Sequence, residues 1–210
     1  MRSSLDNSLR LIAGLALAAL AAQAAPQTFD FNDPKGVNNV QFKLDGPLES
    51  ITGTATGISG SIVFDVVRPD AASGRIVLSA ASLTVGNPKM GEHLHGIQWL
   101  DVAKYLEIVF EASELQNVRT EGTQTKAEVR GTLTIKGVTK SVTAPVSFTY
   151  LANKLGARLN DPKVNGDLLV VRTTLQVNRS DFNIMAGEMM DKVGESIQLS
   201  LSIAGSSPRA

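Results

Sequence analysis

Residues 126–150 constrain the fold most tightly, because apolar and polar residues alternate along this segment. The apolar positions are Ala127, Val129, Leu133 and Ile135 in its first half, and Val142, Ala144, Val146, Phe148 and Tyr150 in its second half. A period of two is typical of a strand with one buried face and one solvated face. Lys136-Gly137 lies between the halves and suits a two-residue turn, since Gly accepts positive φ. The segment therefore predicts a long antiparallel hairpin whose apolar face needs a partner.

The same alternation recurs along most of the chain. It predicts further strands at residues 28–32, 40–44, 48–56, 57–67, 75–83, 106–115, 168–178 and 196–203. The exception follows Asn87-Pro88, where apolar residues recur at steps of three and four, which predicts one or two short helices. Residues 180–192 have no period and are predicted to be irregular, and the tail at 205–210 is predicted to be disordered.

The fold class follows from the single apolar face of most predicted strands. That pattern is typical of antiparallel sheets, whereas parallel strands are usually apolar throughout. A sandwich and a closed barrel both fit, but long neighbouring strands with short turns favour the barrel. We predict an all-β, up-and-down antiparallel barrel of about eight strands with one short helical insertion. A barrel of this size has room inside for side chains or one small ligand.

The first 24 residues have the features of a bacterial secretory signal peptide. Arg2 and Arg10 are basic, residues 11–22 are apolar, and Ala22-Gln23-Ala24 is a small-x-small cleavage site. The apolar run is too short to span a bilayer comfortably. We expect a signal peptide at 1–24, a single barrel domain at 25–210, periplasmic or secreted localisation, and no integral membrane segment after cleavage.

Charge, cysteine content and motifs exclude several functions. The sequence has 20 basic and 20 acidic residues, so no basic surplus favours nucleic acid. It has no cysteine, which excludes thiol catalysis and thiolate metal sites. No nucleophile elbow, zinc-protease motif, dinucleotide fingerprint or P-loop occurs in it. We therefore expect a protein that is not an enzyme and has no cofactor.

Four segments, in the same order along the chain, resemble sequence elements of the YceI-like family. Residues 93–110, HLHGIQWLDVAKYLEIVF, are similar to the family's helix-to-strand region, and residues 131–142, GTLTIKGVTKSV, to its hairpin. Residues 179–182 are similar to an Arg-x-Asp-Phe element, and residues 193–195 to a Val-Gly-Asp step before the last strand. The resemblance implies a lipocalin-like barrel with an apolar cavity. It also implies a bacterial periplasmic or secreted protein that binds an isoprenoid-like or other amphiphilic chain.

The sequence departs from the family pattern at three places. Residues 36–39, GVNN, stand where the family usually has His-Ser, Leu106 replaces a Pro, and Asn183 replaces a Gly. We place the first and third departures near a barrel mouth, where they concern the head group of a ligand more than the fold.

The candidate ligand site consists of the inward-facing apolar residues and the few polar groups near a mouth. The predicted cavity lining is Phe42, Phe64, Ile76, Leu78, Leu94, Trp99, Ile108, Phe110, Leu133, Val146, Phe148, Leu175, Phe182, Met185, Leu199 and Leu201. His93, His95 and Arg179 are the predicted head-group contacts. The expected partner is a lipid or other hydrophobic small molecule, such as an isoprenoid, a quinone or a fatty amide, with an isologous homodimer as a further candidate assembly.

Two alternatives remain open. His93 and His95, together with nearby Met side chains, form a candidate copper or zinc site, because imidazole and thioether suit these ions. However, residues two apart on a helix do not share a face, and we predict no metal. The other alternative is a structural or interaction module whose core is completely filled by its own side chains.

Overall fold

The computed structural model describes residues 25–209, which form eleven strands and two short α-helices. The strands are β1 Gln27–Asp30, β2 Asn39–Asp45, β3 Ser50–Ala55, β4 Ile58–Phe64, β5 Ser73–Ser79, β6 Thr84–Val85, β7 Glu107–Glu121, β8 Gln124–Ile135, β9 Val138–Leu151, β10 Asn165–Asn178 and β11 Ser196–Arg209. The helices are α1 Pro88–His95 and α2 Leu155–Leu159. Among these residues, no helix is both long and apolar enough to cross a bilayer.

Eight of the strands close into an antiparallel barrel. In order around the ring they are β1, β4, β5, β7, β8, β9, β10 and β11, and β11 returns to β1 through the pair Ser206 and Asp30. The first half of β11 pairs with β2 instead of β1, and β3 and β6 extend the sheet from β2. The predicted antiparallel barrel of about eight strands is confirmed.

The predicted hairpin is formed by β8 and β9, which pair without interruption from Gln124 and Thr149 to Ile135 and Val138. Its turn is Lys136-Gly137, and both residues have positive φ, 49° and 74°. This backbone matches the right-handed twist of the two strands. We call the end of the barrel that carries this turn and α1 the upper end, and the end that carries the chain termini the lower end.

Asn38 joins the ring where the chain passes from β1 to β2. Its side-chain amide donates to the carbonyl oxygens of Phe31 and Ala204, and its side-chain oxygen accepts from the N–H of Ala204 at 2.8 Å. β11 pairs with β2 up to Ser202 and with β1 at Ser206. Between these two residues, the Asn38 side chain makes the hydrogen bonds that a neighbouring strand would otherwise make. The departure of residues 36–39 from the family pattern therefore falls on a residue that closes the barrel wall.

The structure differs from the sequence prediction at two places. The tail at 205–210 was predicted to be disordered, but β11 continues to Arg209, which donates a hydrogen bond to the buried carboxylate of Asp167. The prediction also missed α2, whose five residues are too few to show a helical period. The predicted signal peptide lies outside the described residues.

Candidate ligand cavity

The barrel encloses a cavity of about 220 Å³ with an apolar wall. Side chains from nine of the strands, from α1 and from the segments on either side of it contribute to the wall. Ser73 and Thr173 are the polar residues on it, and the Thr173 hydroxyl donates to the carbonyl oxygen of Pro145 at 2.8 Å. A wall that exposes almost no polar surface suits a hydrocarbon chain, which needs no hydrogen-bond partner.

An aromatic cluster fills the barrel below the cavity. Phe64 stacks on Phe148 with ring centroids 5.5 Å apart, and Phe29 meets Tyr150 edge to face at 6.3 Å. Phe29 and Phe31 are completely buried. Such rings fill more volume per residue than aliphatic side chains. The cavity therefore ends at this cluster and does not continue to the lower end of the barrel.

The segment from α1 to β7 covers the upper end. Helix α1 begins at Pro88, and the side-chain oxygen of Asn87 caps it by accepting from the N–H groups of Lys89 and Met90. Leu94 on the helix, together with Trp99 and Leu100 after it, lies on the cavity wall. The predicted helical insertion is therefore confirmed, and its apolar side chains form the cover of the cavity.

Lys136 links the segment after α1 to the loop between β10 and β11 at the upper end of the barrel. Its Nζ donates to the carbonyl oxygen of Gln98 at 2.9 Å and to that of Asn183 at 3.1 Å. Gln98 belongs to the segment after α1, and Asn183 to the loop between β10 and β11. Tyr105 lies against the same turn, close to Gly137. The β8–β9 turn thus holds the segment after α1 and the β10–β11 loop in place by hydrogen bonds to their backbone.

Arg179 organises the loop between β10 and β11 from inside. Its side chain is completely buried, and its Nε donates to the Gly194 carbonyl oxygen at 3.1 Å while Nη1 donates to that of Ile184 at 3.1 Å. Further bonds go to the carbonyls of Met185 and Glu188, and the Glu195 carboxylate is 3.6 Å away. A guanidinium with five N–H donors is suited to hold several carbonyls of one loop at once.

Thirteen of the sixteen predicted lining residues lie on the cavity wall. They are Phe42, Ile76, Leu78, Leu94, Trp99, Ile108, Phe110, Leu133, Val146, Phe148, Leu175, Leu199 and Leu201. Other residues on the wall were not among those predicted, including Val40, Leu44, Val129, Ile135, Val171 and Ile197. These follow the same alternation on the same strands, so the signal was present and the prediction was incomplete. Contact of any of them with a ligand stays a prediction.

Three predicted lining residues lie elsewhere. Phe64 belongs to the aromatic cluster below the cavity. Phe182 is buried in a short 3₁₀ turn, Ser180–Phe182, that packs against β9 and β10. Met185 is buried in the loop that Arg179 holds, and its neighbour Ile184 reaches the wall instead. In this irregular loop no period indicates which side chain faces inward.

The predicted head-group residues do not form one cluster. Nε2 of His95 lies 2.8 Å from the Leu83 carbonyl oxygen, so His95 fixes α1 to the chain before it. His93 is exposed on the helix. Arg179 lies inside the protein rather than at a mouth, because its hydrogen bonds hold the loop. Within residues 25–209, no three His, Asp or Glu side chains come together in a way that could hold a metal ion.

One strand boundary of the barrel is open for part of its length. β9 and β10 pair from Leu151 and Leu168 to Val146 and Thr173, and their pairing ends there although both strands continue upward. We call the space between residues 138–145 and 174–178 the split. Pro145, a strand residue without an N–H donor, is the sequence signal that could have revealed it.

The fold and the cavity define a class: a lipocalin-like β-barrel with an apolar cavity inside it. The model of the YceI-like domain matches residues 33–204, and the chain belongs to the YceI-like family. A UPF0312 protein of Ectopseudomonas mendocina (strain ymp) is 28% identical over 202 residues, which cover 96% of this chain and 98% of the relative.

Solved structures have the same fold. BcnA of Burkholderia cenocepacia superposes with a TM-score of 0.64 and 23% identity, over 80% of this chain and 95% of BcnA. A polyisoprenoid binding domain of Saccharophagus degradans superposes with a TM-score of 0.62 and 11% identity, over 88% of this chain and all of that domain. At these identities the likeness concerns the fold alone.

Proposed function

We propose that the protein binds the apolar chain of a lipid or other amphiphile inside the barrel and carries it without catalysis. The observation that carries this proposal is the cavity of about 220 Å³ whose wall exposes almost no polar surface. Membership of the YceI-like family supports it, as does the fold shared with a domain of Saccharophagus degradans that binds polyisoprenoid.

The cavity volume limits the length of chain that it can hold. Each methylene group buried in this cavity contributes about 0.8 kcal/mol before the entropy cost of association, until the cavity of about 220 Å³ is full. A longer isoprenoid would extend out of the cavity or require its cover to move.

Binding is tested by the chain-length dependence of affinity. Linear alcohols of increasing length are titrated against the purified protein with a neutral fluorescent probe, N-phenyl-1-naphthylamine, as the displaced ligand. We expect the dissociation constant to fall with each added methylene and to level off once the cavity is full. Leu133→Trp, which fills the cavity, should weaken binding about tenfold or more. Thr132→Trp, on the outer face of the same strand, is the matched control and should bind like the wild type.

The natural ligand is sought by extracting the protein, purified without added ligand, with organic solvent and identifying the extract by mass spectrometry. An isoprenoid, a quinone or a fatty amide in the extract would identify the class of chain. An empty extract combined with no displacement of the probe by any alcohol would refute the proposed function.

We also propose that the chain is exported, with residues 1–24 as its signal peptide. The basic start, the apolar run and the small-x-small site support this. Expression in a Gram-negative host, followed by fractionation and intact mass measurement, should give periplasmic protein that starts at Ala25. Full-length protein retained inside the cell would contradict the proposal.

A further inference from the structure

The split between β9 and β10 brings the cavity to the outer surface of the barrel. Ala144 and Val146 on β9, and Thr173 and Leu175 on β10, all lie on the cavity wall, so both sides of the split lead inward. At its upper end the split is bounded by the 3₁₀ turn Ser180–Phe182, which packs against both strands. The wall of a closed barrel normally has no such free strand edges.

Pro145 explains why the pairing stops. If the register continued, Pro145 would face Thr174, but proline has no N–H to donate to the ladder. The Thr173 hydroxyl donates to the Pro145 carbonyl oxygen in place of a backbone donor. The interruption is therefore encoded in the sequence rather than produced by a distortion of the two strands.

An outer groove lies across the strands at the lower end of the split. It contains Pro145 and Thr174, and it shares Val146, Thr173 and Leu201 with the wall of the cavity. The other polar residue on the cavity wall, Ser73, is the first residue of β5 and does not lie on this groove.

A row of basic residues borders this groove. Arg119 pairs with Lys126, Lys126 with Ser147, and Ser147 with Arg172, so the four side chains form one row across neighbouring strands. Lys126 and Arg172 flank Ser147, each one strand spacing of about 4.8 Å from it. Glu128 is the acidic residue on the groove, and it accepts a hydrogen bond from Asn117. Three cations against one carboxylate favour an anion here.

We propose that the split is the entrance to the cavity, and that Lys126 and Arg172 bind the anionic head group of an amphiphile whose tail passes through it. The hydroxyl of Ser147, between the two cations, donates to the same head group. This inference rests on the proposed function and adds to it a route and a ligand class, a carboxylate or phosphate ester of an apolar chain. Lateral entry leaves the cover of the upper end closed.

The head-group part is tested with three ligands that share one tail: octanol, octanoate and octyl phosphate. We expect the wild type to bind the two anions about tenfold more tightly than octanol, a preference that shrinks at high salt. The double variant Lys126→Gln, Arg172→Gln should lose this preference and bind octanol unchanged. The matched control, Lys154→Gln with Lys163→Gln, removes two exposed cations away from the split and the groove and should keep it.

The three ligands also show which head group is recognised. They further separate a failure of the head-group site from a failure of the proposed function. Tighter binding of both anions indicates recognition of negative charge, and tighter binding of octyl phosphate alone indicates a phosphate site. If the wild type binds octanol as tightly as both anions, the head-group site is refuted while the proposed function stands. If none of the three binds, the head-group site is refuted, and the proposed function is refuted as well when no other alcohol displaces the probe and the solvent extract is empty.

The entrance is tested by closing the split. Thr143 and Gln176, both exposed, would face each other if the ladder continued, and the chain has no other cysteine to interfere. The variant Thr143→Cys, Gln176→Cys is loaded with the fluorescent probe and oxidised. Where intact mass shows free thiols, the pair is bridged with bis(maleimido)ethane instead. Release of the probe should slow several-fold on bridging.

The control pair is Gln41→Cys with Thr54→Cys, two exposed residues that face each other on β2 and β3, where the ladder is continuous and away from the split. Bridging it should leave the release rate unchanged. Unchanged release from fully bridged Thr143→Cys, Gln176→Cys protein would refute entry through the split without affecting the proposed function.

Discussion

The hydroxyl of Thr173 donates a hydrogen bond to the carbonyl oxygen of Pro145, 2.8 Å away, at the last point where β9 and β10 are joined. Above this bond the two strands separate. The amides of residues 174–178 that face β9 should therefore exchange with solvent faster than those of residues 168–173 that face the same strand. Hydrogen exchange followed by NMR checks this for each residue, and equal protection along all of β10 would contradict the split.

Pro145→Val should restore a donor at the position where the ladder stops. The new N–H can bond across to β10, so we expect the slow exchange of lower β10 to extend to Thr174 and beyond. Pro26→Val, which lies before the first strand, is the control and should leave the exchange pattern of β10 unchanged.

Lys136→Ala should loosen the upper cover. The substitution removes hydrogen bonds to the Gln98 and Asn183 carbonyls, and a net loss of about 1–2 kcal/mol in the free energy of unfolding is expected. Urea denaturation measures the loss, and Lys140→Ala, an exposed lysine nearby on β9, should change stability by less than about 0.5 kcal/mol. Equal effects of the two substitutions would show that the two bonds do not stabilise the cover.

Arg179→Met should be the most destabilising of these substitutions. It leaves several buried carbonyl oxygens without donors and the Glu195 carboxylate without its cation, with an expected cost of about 3–5 kcal/mol. Arg179→Lys keeps the charge but loses the planar guanidinium with its several N–H donors, so it should recover only part of the stability. Thermal unfolding of both variants checks this, and full recovery by Lys would show that charge alone matters.

Stability should fall in acid through Asp167. Burial alone would raise the pKa of this carboxyl group, but hydrogen bonds from the Asn153 N–H and the Tyr150 hydroxyl, together with the positive charge of Arg209, outweigh it and lower the pKa below its ordinary 3.8. A pKa that is lower in the folded state stabilises the protein above the ordinary value, and this contribution is lost as the pH falls through the folded value.

The measurement is the free energy of unfolding of the wild type and Asp167→Asn at neutral pH and at successive pH values below about 4. Asp167→Asn should be less stable at neutral pH, and it should lose less stability in acid than the wild type does. Parallel curves for the two proteins would exclude Asp167 as a source of the acid sensitivity.

The sequence predicted those parts of the fold that depend on side-chain alternation. The β8–β9 hairpin, its Lys136-Gly137 turn and the eleven proposed wall residues that belong to strands have the expected places, because a period of two decides which side of a strand faces inward. Helix α1 was predicted for a similar reason, since Pro88 and the spacing of Leu94 mark a short helix before the chain returns to strand.

What alternation could not predict depends on contacts between distant segments. Arg179 is buried because it donates to carbonyl groups of the β10–β11 loop, whose sequence has no alternating pattern. The last residues of β11 are held because Arg209 donates a hydrogen bond to Asp167 on β10. The split depends on the register of β9 against β10, which no local pattern contains, although Pro145 marks where the ladder must weaken.

The two ends of the described chain meet beside Asp167, at the opposite end of the barrel from α1. Arg209 binds that carboxylate directly, and Gln27 lies within hydrogen-bonding reach of it. A biotin tag or a surface linker attached after Arg209 would therefore orient every immobilised molecule alike, with the helix and the Lys136 turn pointing away from the support. In a biosensor, the side of the barrel that carries the basic row would then stay open to flowing lipid.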